Sequence, residues 1–125
     1  MGHTESIEMY LETVYILEKS HGHAHVVDIA KYLGVSKPSV SKAMKVLKGK
    51  GLIHQEAYGS ITLSPEGLER SKKIYREHQM IAQFLQHSLG LSPEDASSNA
   101  CKMEHVLNNT MIEAITAYLV KNSLQ

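Results

Sequence analysis

A single cysteine, Cys101, is all the thiol chemistry that 125 residues provide. No internal disulfide can form, so the thiol reads as a buried filler, a reactive group or a metal ligand in a reducing compartment. Membrane segments are missing as well: no stretch approaches the roughly 18 uninterrupted apolar residues of a span, and Met1 to Ile7 does not show the charged-then-apolar order of a signal peptide. A cytoplasmic protein with no membrane partner is expected. Net charge is zero, thirteen Lys+Arg against thirteen Asp+Glu, with 42% apolar residues. That balance describes a soluble globular protein and names no partner. The length suits one compact domain or two small subdomains, which excludes large multidomain enzymes.

Acids are also absent locally. Between Ile29 and Gln55 stand six lysines (Lys31, Lys37, Lys42, Lys45, Lys48, Lys50) and no acid. Such a basic block points to nucleic acid, although a lysine-rich solvated helix face would read the same way. The elements around it decide more. Residues 5–20 place Ile7, Leu11 and Val14 on one side of a helix and Met9, Glu12 and Ile16 on the other, which leaves a part apolar, part acidic face for a second body. Val26 to Leu33 forms a short amphipathic helix closed by Gly34. Ser36 then caps a second helix that begins Lys37-Pro38, runs to about Gly49 and carries the stripe Val40, Met44, Leu47. Two strands follow, Leu52 to Glu56 and Ser60 to Leu63, turned at Tyr58-Gly59. Helix, short helix, tight turn, basic helix and Gly-tipped hairpin together predict a winged helix-turn-helix.

The second half reads as wholly helical. Ser64-Pro65-Glu66 starts a long helix to about Ser88, and Gly90 ends it. Ser92-Pro93-Glu94-Asp95 starts another to about Leu107, and Asn108-Asn109 precedes a last helix bearing Met111, Ile115 and Tyr118 or Leu119. Some sixty residues offer more apolar stripe than so small a body needs, which predicts a homodimer. The fold expected is mainly α: a winged helix-turn-helix DNA-binding domain with a β-hairpin wing over residues 1–63, then an all-helical dimerisation and metal-binding domain over residues 64–125.

Cys101, Glu104 and His105 stand at i, i+3 and i+4, so one helix face would carry a thiol, a carboxylate and an imidazole. This is a metal-ligand spacing, but a core cysteine beside a solvated glutamate and a half-buried histidine fits it too. His78 interrupts the apolar row Ile74, Ile81, Leu85, where an imidazole needs a polar partner. Met9 and Glu12 supply a thioether and a carboxylate one turn apart, or merely an ordinary helix face.

From EMYLE at Glu8 to Glu12, through the winged helix, to YREHQMIAQFL around His78 and ACKMEHV at Ala100 to Val106, nearly the whole chain resembles the diphtheria toxin repressor family of metal-dependent transcriptional repressors. The resemblance implies a primary metal site of the iron-responsive type built from Met9, Cys101, Glu104 and His105. It also implies departures. The iron branch's ancillary site takes a histidine at His78, a glutamate where this chain has Ala82 and a histidine where it has Ser97, so that site is broken. The manganese branch's two-metal cluster agrees at Glu12 and His78 and disagrees at Met9 and Cys101. Ending at Gln125, the sequence is expected to go without the third, SH3-like domain of longer relatives. Thiolate and thioether favour a softer ion, so Fe(II) is the first choice and Mn(II) the second, with Co(II), Ni(II) or Zn(II) able to bind in vitro. The metal would act as corepressor, fixing the dimer on operator DNA and so controlling metal-homeostasis genes; no protein partner is evident.

At double-stranded DNA, Lys37, Lys42 and Lys45 would pair with phosphates, Ser36 and Ser39 at the helix start would bond to phosphate or base edges with Ser41 beside them, and Pro38 would touch a thymine methyl as the equivalent proline does in the family. The recognition helix has no Arg, Asn or Gln, so DNA shape is expected to contribute to specificity. Three other readings compete. One keeps the winged helix and has it sense a small organic or redox effector. Another is an enzyme with Cys101 as nucleophile and His105 as base, which finds no orienting third group or oxyanion hole. The last is metal storage through His21, His23 and His25.

Overall fold

The computed structural model describes residues 6–56 and 59–122. Its element order is α1 (Ile7–His21), α2 (Val26–Leu33), α3 (Lys37–Gly49), β1 (Ile53–Gln55), β2 (Ile61–Leu63), α4 (Pro65–Leu89), α5 (Pro93–Met103) and α6 (Asn109–Lys121). Mainly helical, with one small hairpin, it is the architecture the patterning predicts. The chain divides into two compact units, residues 1–72 and 73–125. The division falls inside α4.

In the first unit, Ser6 caps α1 by accepting from the Met9 N–H at 3.1 Å, and Gly22 ends it in the left-handed region. Leu11 and Val14 from α1, Ile29 from α2, Val40, Met44 and Leu47 from α3 and Ile61 from β2 are all withdrawn from solvent. Each such side chain contributes about 1.5–3 kcal/mol of burial, and together they orient three helices around one centre. Gly34, at φ 68°, supplies the tight turn between α2 and α3 that a side chain would strain. That turn sets α3 outward.

The wing is antiparallel, with Ile53 opposite Leu63 and Gln55 opposite Ile61. Both strands are shorter than the pattern suggests, and Tyr58 of the expected turn lies outside the described residues. Two ties fix the base of the wing. Ala24 forms a bridge with Ile61, and the Glu18 carboxylate accepts the Leu63 N–H at 2.6 Å.

The start of α4 belongs to this unit for a physical reason. The Ser64 hydroxyl donates to the Gly51 carbonyl at 2.7 Å and accepts from the Gly67 N–H at 3.0 Å. The helix backbone at Gly67 comes so close to the residue before β1 that a Cβ there would lie 1.9 Å from the Leu52 carbonyl oxygen. Only glycine fits.

In the second unit, Ile81, Ala82 and Leu85 of α4, Ala96 and Ala100 of α5, and Ile115 and Leu119 of α6 form the core. Alanines are the buried residues that α5 contributes to this core. Ser92 caps α5 by accepting from the Asp95 N–H at 3.1 Å. The helix stops at Met103 rather than running to Leu107 as its sequence suggests. Glu104 keeps helical dihedrals, φ −58° and ψ −24°, as the C-cap, and then the N–H groups of Val106 and Leu107 both turn back to the Met103 carbonyl. Asn108 opens α6 at once, accepting from the Met111 N–H at 2.9 Å. Two caps so close together leave no room for another helical turn.

Candidate metal centre and nucleic-acid interface

Ending α5 early moves His105 off the helix. Cys101 and Glu104 still share a face, since the Glu104 N–H bonds to the Ala100 carbonyl at 2.9 Å, and His105 sits in the turn that follows. The side chain of Glu104 is 0% exposed. Two histidines flank it. His78 Nδ1 lies 3.6 Å from Oε2, with its side chain 18% exposed, and His105 Nε2 lies 3.4 Å from Oε1, with its side chain 6% exposed. Cys101 is half-buried one turn before Glu104.

Among the described residues neither oxygen of Glu104 accepts a hydrogen bond. A buried carboxylate in that condition carries a large desolvation cost. The donor atoms around it fit a cation. Oxygen and nitrogen ligands lie about 2.1 Å from a first-row divalent ion, and at angles of about 90–110° two of them are about 3.0–3.4 Å apart. The Glu104–His105 separation falls in that range and the Glu104–His78 separation just beyond it, while both exceed an ordinary N–H···O bond.

His78 is held on its other sides. Its Nε2 lies 3.3 Å from the Ser97 hydroxyl, and its ring stacks on Tyr75 at a centroid distance of 6.4 Å and an interplanar angle of 17°. Ser97 is thus a hydrogen-bonding partner for this ring within the apolar row of α4, and Glu104 faces its other nitrogen at a longer distance. Ser97 is visible in the sequence only as the place where the iron branch's histidine is gone. Its spacing four residues before Cys101 is the signal that it shares a face of α5 with the site.

In the first unit Met9 and Glu12 stand one turn apart on α1. Met9 is half-buried, and Glu12, expected on an outward face, is 6% exposed. The acidic group is therefore not a solvated surface charge.

The DNA-facing expectations concern α3. Lys37, Pro38, Ser39, Ser41, Lys42 and Lys45 are all exposed, while Val40, Ala43, Met44 and Leu47 are buried. Ser36 is exposed but engaged: its hydroxyl accepts from the Ser39 N–H at 3.3 Å and pairs with the Ser39 hydroxyl at 2.9 Å. Two hydroxyls that the sequence offers to phosphate or base are thus partly spent on capping. Tyr32, at 54% exposure on α2, escapes the sequence reading, which follows the apolar stripe of that helix and not its outer side.

Residues 3–61 match the family model described as iron dependent repressor, N-terminal DNA binding domain, and residues 64–123 match the iron dependent repressor, metal binding and dimerisation domain. The chain belongs to the diphtheria toxin, or iron-dependent, repressor family. As a member it is a metal-dependent transcriptional repressor with a DNA-binding and a dimerisation domain, and the family is one of regulators, not enzymes. A divalent metal is the ligand of the second domain.

Relatives agree across the chain. An HTH-type transcriptional regulator of Methanocaldococcus jannaschii is 35% identical over 119 residues, 94% of this chain and 95% of that one. The transcriptional regulator MntR of Salmonella typhimurium is 36% identical over 114 residues, 91% of this chain and 72% of that one. Among solved structures, the IdeR of T. acidophilum superposes with a TM-score of 0.83 at 22% identity, covering 94% of this chain. The metal-dependent regulator MtsR gives 0.83 at 26% identity and 94% of this chain. The chain spans about half the length of those solved relatives, 55% and 54%. Among the described residues no helix is long and apolar enough to cross a membrane.

Proposed function

We infer that Fe(II) is the corepressor, held by Cys101, Glu104 and His105 of the second unit together with Met9 of α1, and that Mn(II) is the runner-up. The observation that carries the reading is Glu104, a fully buried carboxylate with no hydrogen bond and an imidazole nitrogen facing each oxygen. A bound ion would set positive charge directly against this carboxylate. Thiolate from Cys101 and thioether from Met9 favour a softer ion over manganese. His78 and Glu12 are the additional ligands proposed. His78 faces the oxygen of Glu104 that His105 does not, so one carboxylate can serve two ions.

That sharing, and relatives named MntR, favour the manganese reading as the alternative. In either case ligands drawn from both α1 and the second unit would couple metal binding to the winged helix, and a coupling of about 1–3 kcal/mol switches operator occupancy usefully. A dimer so fixed would place two α3 helices near one helical turn of DNA apart, roughly 34–36 Å, or a multiple of it. Operator DNA in double-stranded form is the proposed partner, the homodimer the active form, metal-homeostasis genes the proposed target and the cytoplasm the proposed compartment.

The test is a mobility shift on candidate operator DNA with and without anaerobic Fe(II) or Mn(II), repeated with Cys101→Ala and Glu104→Ala. Retardation is expected with metal and the native chain only. Metal-independent retardation by both variants refutes the corepressor role.

A further inference from the structure

We propose that Ser97 is a positioning residue for metal capture, a hydroxyl that holds the His78 ring so that Nδ1 faces Glu104 whichever nitrogen carries the proton. The inference rests on the metal reading above and adds to it a residue that coordinates nothing.

The geometry starts from the ring. Its two nitrogens have separate polar neighbours: Nε2 meets the Ser97 hydroxyl at 3.3 Å and Nδ1 meets Glu104 Oε2 at 3.6 Å. Stacking on Tyr75 limits tilt but not a flip about the ring axis, because a flat apolar surface does not distinguish nitrogen from carbon. Only the polar neighbours distinguish them. Flipping the ring would remove Nε2 from Ser97 and Nδ1 from Glu104 together.

The choice of a hydroxyl has chemical content. A neutral imidazole bears one N–H, and a metal-bound histidine gives its lone pair to the ion while its second nitrogen donates outward. With Nδ1 on an ion, Nε2–H must donate, and Ser97 Oγ accepts. With no ion, in the tautomer carrying Nδ1–H that proton faces the buried Glu104 carboxylate at 3.6 Å, beyond a hydrogen bond, Nε2 becomes an acceptor, and Ser97 donates by rotating its proton. A carboxylate or an ammonium in place of Ser97 would favour one of the two states. Serine permits both without moving a heavy atom, so the ring is already oriented when the ion arrives. Ser97 lies one helical turn before Cys101 and two before Glu104 on α5, so the residue that orients His78 is carried by the same rigid helix as two proposed ligands.

Mn(II) titrations of the intact chain, read by loss of the free-ion electron paramagnetic resonance signal, test the claim. Ser97→Ala is expected to weaken binding about tenfold, the lower end of the effect of losing a partner outside the coordination sphere, and Ser97→Thr, which keeps the hydroxyl, to restore it. Melting of the metal-free Ser97→Ala chain should match the native one, since Ser97 is exposed. With diamagnetic Zn(II) bound, long-range 1H–15N spectra should show the Nε2–H tautomer of His78 with a slowly exchanging proton in the native chain and fast exchange in Ser97→Ala. Unchanged Mn(II) affinity in Ser97→Ala, or an Nδ1–H tautomer in the Zn(II) form, overturns the proposal. His78→Ala and Glu104→Gln separate the two levels: if both bind Mn(II) like the native chain, the metal reading fails and this inference with it. If both lose binding while Ser97→Ala does not, only the positioning role fails.

Discussion

Glu104→Gln keeps the volume of the side chain and removes the carboxyl, at a position where the native group is fully buried, accepts no hydrogen bond among the described residues and faces two imidazoles. In the metal-free protein the substitution exchanges a buried carboxyl group for a neutral amide of the same size, so the melting temperature should stay level or rise. In the presence of metal the effect reverses. A ligand that binds only the folded form stabilises it by RT ln(1 + [L]/Kd), about 2.7 kcal/mol at a hundred times Kd. Loss of a residue that merely supports a ligand weakens metal binding by 10- to 100-fold, and loss of a carboxylate facing both histidines should reach at least the upper figure. At the same metal concentration a hundredfold weaker site contributes RT ln 2, about 0.4 kcal/mol. Each kcal/mol moves the midpoint of a 60–100-residue unit by about 4–8 °C. The native chain should therefore gain about 10–20 °C and Glu104→Gln about 2–3 °C, measured by calorimetry with Mn(II) or anaerobic Fe(II) against a chelated control. A full native shift in the variant would refute the argument that this carboxylate holds the ion.

Two further substitutions probe the scaffold and the DNA surface. Gly67→Ala should destabilise the first unit even though alanine is the better helix former by about 1 kcal/mol, because its Cβ meets the Leu52 carbonyl at 1.9 Å and overpacking against backbone costs about 1–3 kcal/mol or more. A urea midpoint at or above the native value would contradict that close approach. Lys42→Ala, on the exposed side of α3, should weaken binding to all duplexes alike. It should also make the slope of log K against log salt shallower by about 0.9 for each phosphate that a subunit no longer neutralises; an unchanged slope in fluorescence anisotropy titrations would rule out the proposed docking.

Element order could be read directly because the signals are local. Ser6, Ser36, Ser92 and Asn108 each accept a backbone N–H at a helix start, and a cap acts over three residues, within the range that sequence spacing reports. The end of α5 could not be read in the same way. Continued periodicity through Leu107 is compatible with helix, and the competing cap at Asn108, which accepts the Met111 N–H, opens α6 instead.

The chain's own order of residues determined which chemical groups exist and in which elements they lie: a basic α3 without acids, a thiol and a carboxylate one turn apart on α5, a histidine within the apolar row of α4. Tertiary structure decided what those groups meet. His78 and Glu104 are 26 positions apart, and no periodicity links them; they face each other because α4 and α5 share one core through Ile81, Ala82, Leu85, Ala96 and Ala100. Ser97 gained its place beside His78 through that packing too. Periodicity reports the face of a single helix, whereas desolvation and cross-helix distance arise only when two faces close on one another.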